Sequence, residues 1–428
     1  MWVRRTPPSG WRQWIEVWYI AYGILGAVMG GLIPIVLPLA VHRSSGAAYT
    51  GLVMAALNLG GMTAPLWGHL ADRYRLHRWL LAGGLAVLTV AVLVLALASQ
   101  PVVWLGLALV QGMGSAAAAT VANLFVVEVH PEAEWDKRLG WLQTFYSGGQ
   151  VGGLLLAGLV TQGYFQSGVL VAAGCTTLAM ALSWLTTPVP PQVALPRPLV
   201  QPSGGDIEWP HGALHRLWHH PPYRTLGAVW QRLHSAFALF LCAWLIAFTG
   251  SSSFFALYPV LMDQLYGVTP ALASSSSALA HVLSLTLFAP AGRWSAARGP
   301  LWVLRAAFTV RTVAFCGLLG LHCWQETARS WLALGCLGLL VLSWALLSVS
   351  GTAMTARLAQ QREGEGIGLF NATSALAGVL GAALGGWIAS NRGFEAVLVL
   401  AVLGVTLGNI LTRVFHAGAP ARLEKESA

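Results

Sequence analysis

The chain has few charged residues. Only 9% of its 428 residues are Asp, Glu, Lys or Arg, and 56% are hydrophobic, whereas roughly a quarter of an ordinary soluble domain is charged. This composition excludes a water-soluble globular protein. Acidic residues are scarcest, 15 against 24 Lys and Arg, which gives a formal net charge of +9. Because the basic residues lie in short clusters between apolar runs, they indicate orientation in a membrane and not nucleic-acid binding.

Motifs for nucleotide hydrolysis and covalent catalysis are absent. The sequence contains no GxxxxGKS or GxxxxGKT loop, no HExxH and no GxSxG. We therefore predict neither an enzyme nor a primary pump, and no cofactor or resident metal. The five cysteines have no metal-ligand spacing and are expected to be small packing residues: Cys175, Cys242, Cys316, Cys323 and Cys336.

Long apolar runs make up most of the chain. A helix needs about 20 apolar residues to cross a bilayer core. Twelve runs meet this length and are numbered here as spans 1 to 12: 14–40, 49–70, 78–98, 101–128, 138–162, 166–186, 236–262, 271–292, 300–322, 329–354, 367–390 and 395–415. Span 1 is too long for a cleaved signal peptide and is expected to remain in the protein.

One long polar stretch divides six spans from six. It predicts an N-terminal half at 1–186, a linker at 187–235 and a C-terminal half at 236–428. The linker is rich in proline and carries four histidines, which are His211, His215, His219 and His220. No cysteine or suitably spaced carboxylate accompanies them, so a helix on the membrane surface is favoured over a zinc site.

The basic residues also predict the topology. If the N-terminus is inside, only Arg43, Arg329 and Arg392 fall on the outer side, and Arg311 lies within a span. Both termini and the linker are then cytoplasmic, in a multi-pass protein of the cytoplasmic (inner) membrane. Each half can pack on the other within the lipid bilayer, so a monomer is expected.

The loop after span 2 resembles the signature of the major facilitator superfamily. It reads Gly68-His-Leu-Ala-Asp72-Arg73, against a family pattern of roughly Gly-x-Leu-Ala-Asp-Arg-x-Gly-Arg-Lys/Arg, and departs from it at Arg75 and Leu76. The corresponding place after span 8 keeps the glycines, Gly292 and Gly299, without the Asp-Arg pair. The resemblance implies an all-α membrane protein with twelve transmembrane helices in two six-helix halves, which works as a secondary transporter by alternating access.

Spans 5 and 11 carry a second internal echo. Gly149, Gly152, Gly153 and Gly158 of span 5 correspond to Gly378, Gly381, Gly385 and Gly386 of span 11. Small residues at this spacing let helices approach closely. The echo supports two related halves.

A cytoplasmic gate is predicted around the signature. Span 11 should begin on the cytoplasmic side, where its free N–H groups favour an anion such as Asp72. Glu128 is placed to pair with Arg73 or Arg78. The predicted gate therefore consists of Gly68, Asp72, Arg73, Arg78, Glu128, Gly292 and Gly299. The competing interpretation is that Asp72 and Arg73 belong to a solvated loop.

The resemblance implies that spans 1, 4, 7 and 10 line a central cavity, with spans 5 and 11 at the boundary of the halves. The candidates for the substrate path are Tyr19, Tyr22, Gln111, Asn123, Ser251, Ser252, Tyr258, Trp344, Ser348, Gln143, Tyr146, Gln150 and Asn371. Each could instead be an interhelical hydrogen-bonding residue. The Gln111-Gly-Met-Gly sequence resembles a motif of proton-linked members, but Ala108 stands where they carry arginine.

Two ionisable residues lie deep in predicted spans. His281 and Arg311 are candidates for coupling, with a proton as the candidate ion, because such groups are costly in a membrane. A packed histidine and an arginine that bonds carbonyls are the competing interpretations.

The expected substrate is a small neutral polar or amphipathic solute, because no Asp or Glu lies at mid-span in the four lining helices. Arg311 leaves a smaller place for an anion. The alternatives are a multidrug efflux antiporter and a non-transporting membrane sensor on the same scaffold.

Overall fold

The computed structural model of the chain describes residues 14–74, 76–98, 100–131, 134–161, 165–187, 236–322, 328–359 and 363–417. All regular secondary structure in these ranges is helical. Most of the predicted linker, with its four histidines, and Cys323 lie outside them.

The first six spans follow one another with short connections. Span 1 comprises Tyr19–Leu25, a π-helix at Gly26–Leu32 and the start of Ile33–Gly61. Span 2 comprises the rest of Ile33–Gly61 and Ala64–Tyr74. Spans 3 to 6 are His77–Leu97, Pro101–Val129, Trp135–Val160 and Phe165–Thr186.

The second six spans have the same organisation. Span 7 is interrupted and comprises Ala236–Phe255 and Tyr258–Tyr266. Spans 8 to 12 are Pro270–Arg298, Pro300–His322, Arg329–Ala359, Glu363–Arg392 and Phe394–Ala417.

By length and composition, ten helices of the described chain can cross a membrane. One of them, Tyr19–Ala71, has 53 residues, which is enough for two crossings, and it is broken at Gly46. Trp135–Val160 is not among the ten, because its first turns are charged and Gln143 and Gln150 lower the hydropathy of the remainder. With these two points included, the prediction of twelve spans in two six-helix halves is confirmed.

Glycines in the left-handed region form two of the connections. Gly46 has φ 76° and ψ −178° and joins span 1 to span 2 without a loop. Gly299 has φ 86° and lies between the last residue of span 8 and Pro300. A residue with a Cβ rarely adopts this conformation, so the second glycine of the motif copy has a backbone role.

The glycine echo corresponds to equivalent packing in the two halves. In the first half, a Cβ on Gly149 or Gly153 of span 5 would overlap the carbonyl of Gly23 or Ala27 of span 1. In the second half, Gly381 and Gly385 of span 11 pack in the same way on the carbonyls of Thr249 and Ser253 of span 7. Each pair of glycines and each pair of partners is four residues apart, so the two interfaces share one spacing.

We call the membrane face at which span 6 ends and span 7 begins the linker face. The opposite face, which carries Gly46 and Gly393, is the hairpin face. The two halves meet through spans 2 and 11 and through spans 5 and 8. Spans 2 and 11 touch backbone to backbone at Gly51 and Gly386, and spans 5 and 8 touch where Ser274 Oγ donates to the Leu154 carbonyl.

These contacts all lie in the parts of the spans nearer the hairpin face. Toward the linker face, Ala64–Tyr74 of span 2 packs mainly on span 4, and Gln143 of span 5 and Asn371 of span 11 are exposed. The described contacts therefore close the hairpin face and correspond to a conformation open toward the linker face.

Candidate substrate cavity

A cavity of about 550 Å³ lies between the two halves. The N-terminal half contributes Met29, Gly30, Pro34, Asn58, Gln150 and Leu154. The C-terminal half contributes Phe248, Ser251, Ser252, Phe255, Tyr258, Ser277, His281, Arg311, Leu340, Val341, Trp344 and Ser374. No Asp or Glu occurs among these described lining residues, so the lining combines aromatic and aliphatic surface with hydroxyls, amides, one imidazole and one guanidinium.

The N-terminal wall is formed where span 1 becomes a π-helix. Met29 and Gly30 belong to this segment, and π-helical turns are frequent at functional sites. A Cβ on Gly30 would lie 3.0 Å from Cγ of Gln150. The glycine thus leaves room for the Gln150 side chain at the cavity wall.

The C-terminal wall is formed around the interruption of span 7. Phe248, Ser251, Ser252 and Phe255 share one helical face before the break, and Tyr258 follows it. Pro259 lacks an N–H and suits the first turn of the second piece. The break therefore brings residues of both pieces to the cavity.

Arg311 of span 9 is 2% exposed and reaches the cavity wall between spans 7 and 10. Its Nε donates to Ser343 Oγ at 3.0 Å, its Nη2 to the Leu340 carbonyl at 3.1 Å, and its Nη1 to Ser251 Oγ at 3.4 Å. The guanidinium also lies 5.5 Å and 5.7 Å from the ring centroids of Phe248 and Phe255. Arg311 bonds a carbonyl, as the competing interpretation of the sequence predicted, and it also forms part of the cavity wall.

His281 of span 8 contacts the opposite half. Its Nδ1 lies 2.8 Å from the Ser277 carbonyl, which can only accept, so Nδ1 carries a proton. Its Nε2 lies 3.1 Å from Nε2 of Gln150 in span 5. In the neutral ring, Nε2 accepts from the amide of Gln150, and this hydrogen bond joins the two halves.

Several predicted path residues lie away from the cavity. Gln111 of span 4 is fully buried, and neither of its amide atoms has a partner among the described residues. Tyr22 lies 3.5 Å from the Asn123 amide and 5.2 Å, between centroids, from Tyr146. Tyr19 is buried against Trp18, and Asn371 is exposed near the linker face. The cavity unites Gln150, Ser251, Ser252, Tyr258, Trp344, His281 and Arg311 and leaves the span 4 candidates outside.

Asn58, Phe248 and Ser277 are lining residues that sequence reasoning missed. Helical spacing could have found two of them, because Phe248 precedes Ser252 by one turn and Ser277 precedes His281 by one turn. Asn58 gave no comparable signal, since span 2 was not expected to line the cavity.

The predicted gate residues lie at the linker face. The side chains of Asp72, Arg73 and Glu128 are outside the described part of the chain. Arg78 donates to the Trp184 carbonyl at 2.7 Å and lies over the Trp184 ring, which joins span 3 to span 6. A Cβ on Gly68 would lie 3.5 Å from Thr120 of span 4, and Gly292 faces open space.

A second polar cluster at the linker face anchors the start of span 1. Glu16 accepts from Trp18 Nε1 at 2.8 Å and from Arg138 Nη1 at 3.1 Å, and it lies 2.6 Å from His130 Nε2. Arg138 also pairs with Glu134 at 2.8 Å. Glu16 is far from His130 and Arg138 in sequence, so these two contacts could not be read from spacing. Within the described ranges, no group of three or more His, Cys, Asp or Glu could hold a metal ion.

The structure resembles solved transporters over nearly its whole length. A bacterial homolog of the human lysosomal transporter Spinster, inward-facing and occupied, is 13% identical with a TM-score of 0.71, covering 96% of this chain and 98% of that chain. The nucleoside transporter NupG is 11% identical with a TM-score of 0.67, covering 94% and 97%. The xylose transporter XylE from E. coli, inward open, is 11% identical with a TM-score of 0.67, covering 94% and 95%. At these identities the likeness shows the fold alone.

Comparison with known sequences gives the family. No curated protein sequence matches the chain significantly. The family sequence model described as Major Facilitator Superfamily matches residues 18–280 and 239–427 of this chain. The two matches together cover nearly the entire chain. The chain therefore belongs to the major facilitator superfamily of membrane transporters.

Proposed function

We propose that the protein is a secondary active transporter that moves a small polar or amphipathic solute across the membrane by alternating access. The cavity of about 550 Å³ between the halves carries this proposal, because transporters of this organisation bind their substrates near the midplane, between repeats. The mixed apolar and polar lining suits a small organic solute.

The contacts between the halves support a rocking motion. At the hairpin face, Gly51 of span 2 and Gly386 of span 11 meet through backbone atoms, so separation of these two residues breaks no side-chain hydrogen bond or ion pair between them. At the linker face, span 11 begins at Glu363. When Asp72 of span 2 approaches this helix N-terminus, the free N–H groups there would stabilise its negative charge. Closure at the linker face would then complete the transport cycle.

The distribution of Lys and Arg supports a cytoplasmic linker face. In this orientation the structure is inward-facing, and the protein resides in the cytoplasmic (inner) membrane as a monomer with both termini inside. Its spans are in contact with the lipid bilayer.

His281 is the candidate for proton coupling. A proton on its Nε2 would remove the acceptor for the Gln150 amide and weaken a hydrogen bond between the halves. Tyr258 and Arg311 line the same cavity, and the positive charge of Arg311 opposes a second cation there. Because His281 itself lines the cavity, a substrate bound there and a proton on His281 would influence each other.

Direct flux measurement separates this proposal from its alternatives. Purified protein in proteoliposomes is assayed with radiolabelled uridine, xylose, an amphipathic carboxylate and a quaternary-ammonium dye, with protein-free liposomes as the control. Saturable uptake of any of the first three supports a transporter for polar or amphipathic solutes. Uptake of the dye alone indicates a multidrug antiporter, and ligand binding without any flux indicates a sensor.

A further inference from the structure

Arg311 places a positive charge in the cavity wall without an acidic partner. Among the described residues, the ion pairs involve other cations, and no Asp or Glu lies within ion-pair distance of Arg311. A buried charge is costly unless it is paired. The two neighbouring phenylalanine rings compensate only part of this cost.

The guanidinium retains unused hydrogen-bonding capacity. Its contacts with Ser343, Leu340 and Ser251 each use one N–H group, and a guanidinium carries more donors than these contacts require. A neutral amide has two N–H groups and one carbonyl oxygen. It could bond the Leu340 carbonyl and both serine hydroxyls without burying a charge, because a hydroxyl can donate as well as accept. A role in linking spans 7, 9 and 10 therefore explains the hydrogen bonds of Arg311 but not its positive charge.

We propose that Arg311 binds the carboxylate of an amphipathic monoanionic substrate, whose apolar part packs against Phe248, Phe255 and Trp344. Arginine suits this task because its planar donors match a carboxylate. The described lining offers one permanent cation and no second one, which favours a single negative charge over a phosphate dianion. This inference rests on the proposed transport function, since it identifies the substrate class of the same cavity.

The position of Arg311 changes the order of the substrates expected from the sequence. A neutral solute ranked first there because the four helices expected to line the cavity lack mid-span carboxylates. Span 9 was not among those helices, yet it supplies the charge that lines the cavity. An anion therefore becomes the favoured substrate. A cationic substrate is even less favoured than the sequence indicated, because Arg311 repels it.

A binding experiment with matched probes tests the inference. Purified protein is titrated with hydrocinnamate, its neutral amide hydrocinnamamide and phenyl phosphate, and the thermal midpoint is measured. We expect saturable stabilisation by hydrocinnamate, a smaller effect of phenyl phosphate and none of the amide. Arg311→Gln should weaken hydrocinnamate binding about tenfold to 100-fold, and Arg311→Lys should recover part of it.

Arg305→Gln is the matched control. Arg305 lies on the same helix and donates to the Thr412 carbonyl at 2.6 Å, but it does not line the cavity. Its variant should bind hydrocinnamate like the wild type. Should Arg311→Gln fail to fold, the loss of affinity in Arg311→Lys decides the question.

Three results would overturn the inference: hydrocinnamate does not stabilise the wild type, hydrocinnamate and its amide bind equally, or folded Arg311 variants keep full preference for hydrocinnamate. The proposed function fails in a different way. Saturable flux of uridine or xylose that is independent of Arg311 would refute the carboxylate site and keep the transporter. Carboxylate binding without flux of any solute would do the reverse.

Discussion

Gln150 of span 5 and His281 of span 8 lie 3.1 Å apart and form a hydrogen bond between the two halves. Because Nδ1 of His281 already faces the Ser277 carbonyl, only Nε2 can take up a second proton. The contact therefore depends on the protonation of one ring.

The first prediction concerns pH. A protonated histidine ring cannot accept a hydrogen bond from Gln150. Lower pH should weaken this contact between the halves, so the rate of solute flux in proteoliposomes should vary between about pH 5 and pH 8. His281→Gln should flatten this profile.

His42 provides the control for this prediction. It lies in span 1 near the hairpin face, with its ring 5.8 Å from that of Phe394, and it does not line the cavity. His42→Gln should keep the pH profile of the wild type. A profile that His281→Gln leaves unchanged would argue against coupling at this residue.

The second prediction concerns the packing of spans 1 and 5. A Cβ on Gly153 would overlap the Ala27 carbonyl, whereas a Cβ on Gly152 meets nothing within 4 Å. Gly153→Val should therefore lower the free energy of unfolding by about 1–3 kcal/mol, a typical effect of overpacking. Gly152→Val should change it much less. Thermal unfolding of the two purified variants measures the difference, and equal midpoints would contradict the packing described here.

The third prediction concerns the linker-face gate. Asp72→Asn keeps the size of the side chain but removes a charge that a helix N-terminus stabilises by about 0.3–2 kcal/mol. Flux should fall, while expression and membrane insertion persist. Arg298→Gln, which alters the motif copy without an acid, should have a smaller effect; its guanidinium lies 4.7 Å from the Trp302 ring. Full flux in the Asp72→Asn variant would refute the role of Asp72 in the gate.

The fourth prediction concerns topology. Reporters fused after Ser203 and at the C-terminus should both indicate the cytoplasm, because the charge distribution places the linker and both ends on that side. Six predicted spans lie between the two fusion positions, so both positions should be on the same side of the membrane. An external signal at either fusion would invalidate the assigned orientation.

The sequence was sufficient to predict the architecture, because each span is a long apolar run and the bilayer requires such runs to be helical. It also identified Gln150, Tyr258, His281 and Arg311, since polar groups in apolar runs are conspicuous. It could not show which of them meet. Gln111 and Arg311 were equally visible in the sequence, but packing buries the former within its half and brings the latter to the cavity.

Solute counterflow most directly tests alternating access around this cavity. Proteoliposomes are loaded with the unlabelled form of a solute that the flux assay identifies, and entry of the labelled form is measured for wild type, Met29→Trp and Leu170→Trp. Met29 lines the cavity, whereas Leu170 of span 6 is exposed. The account predicts that internal solute accelerates entry in the wild type and in Leu170→Trp, and that the folded Met29→Trp variant, with its cavity filled, loses this exchange. Entry without acceleration, or full exchange in the Met29→Trp variant, would contradict it.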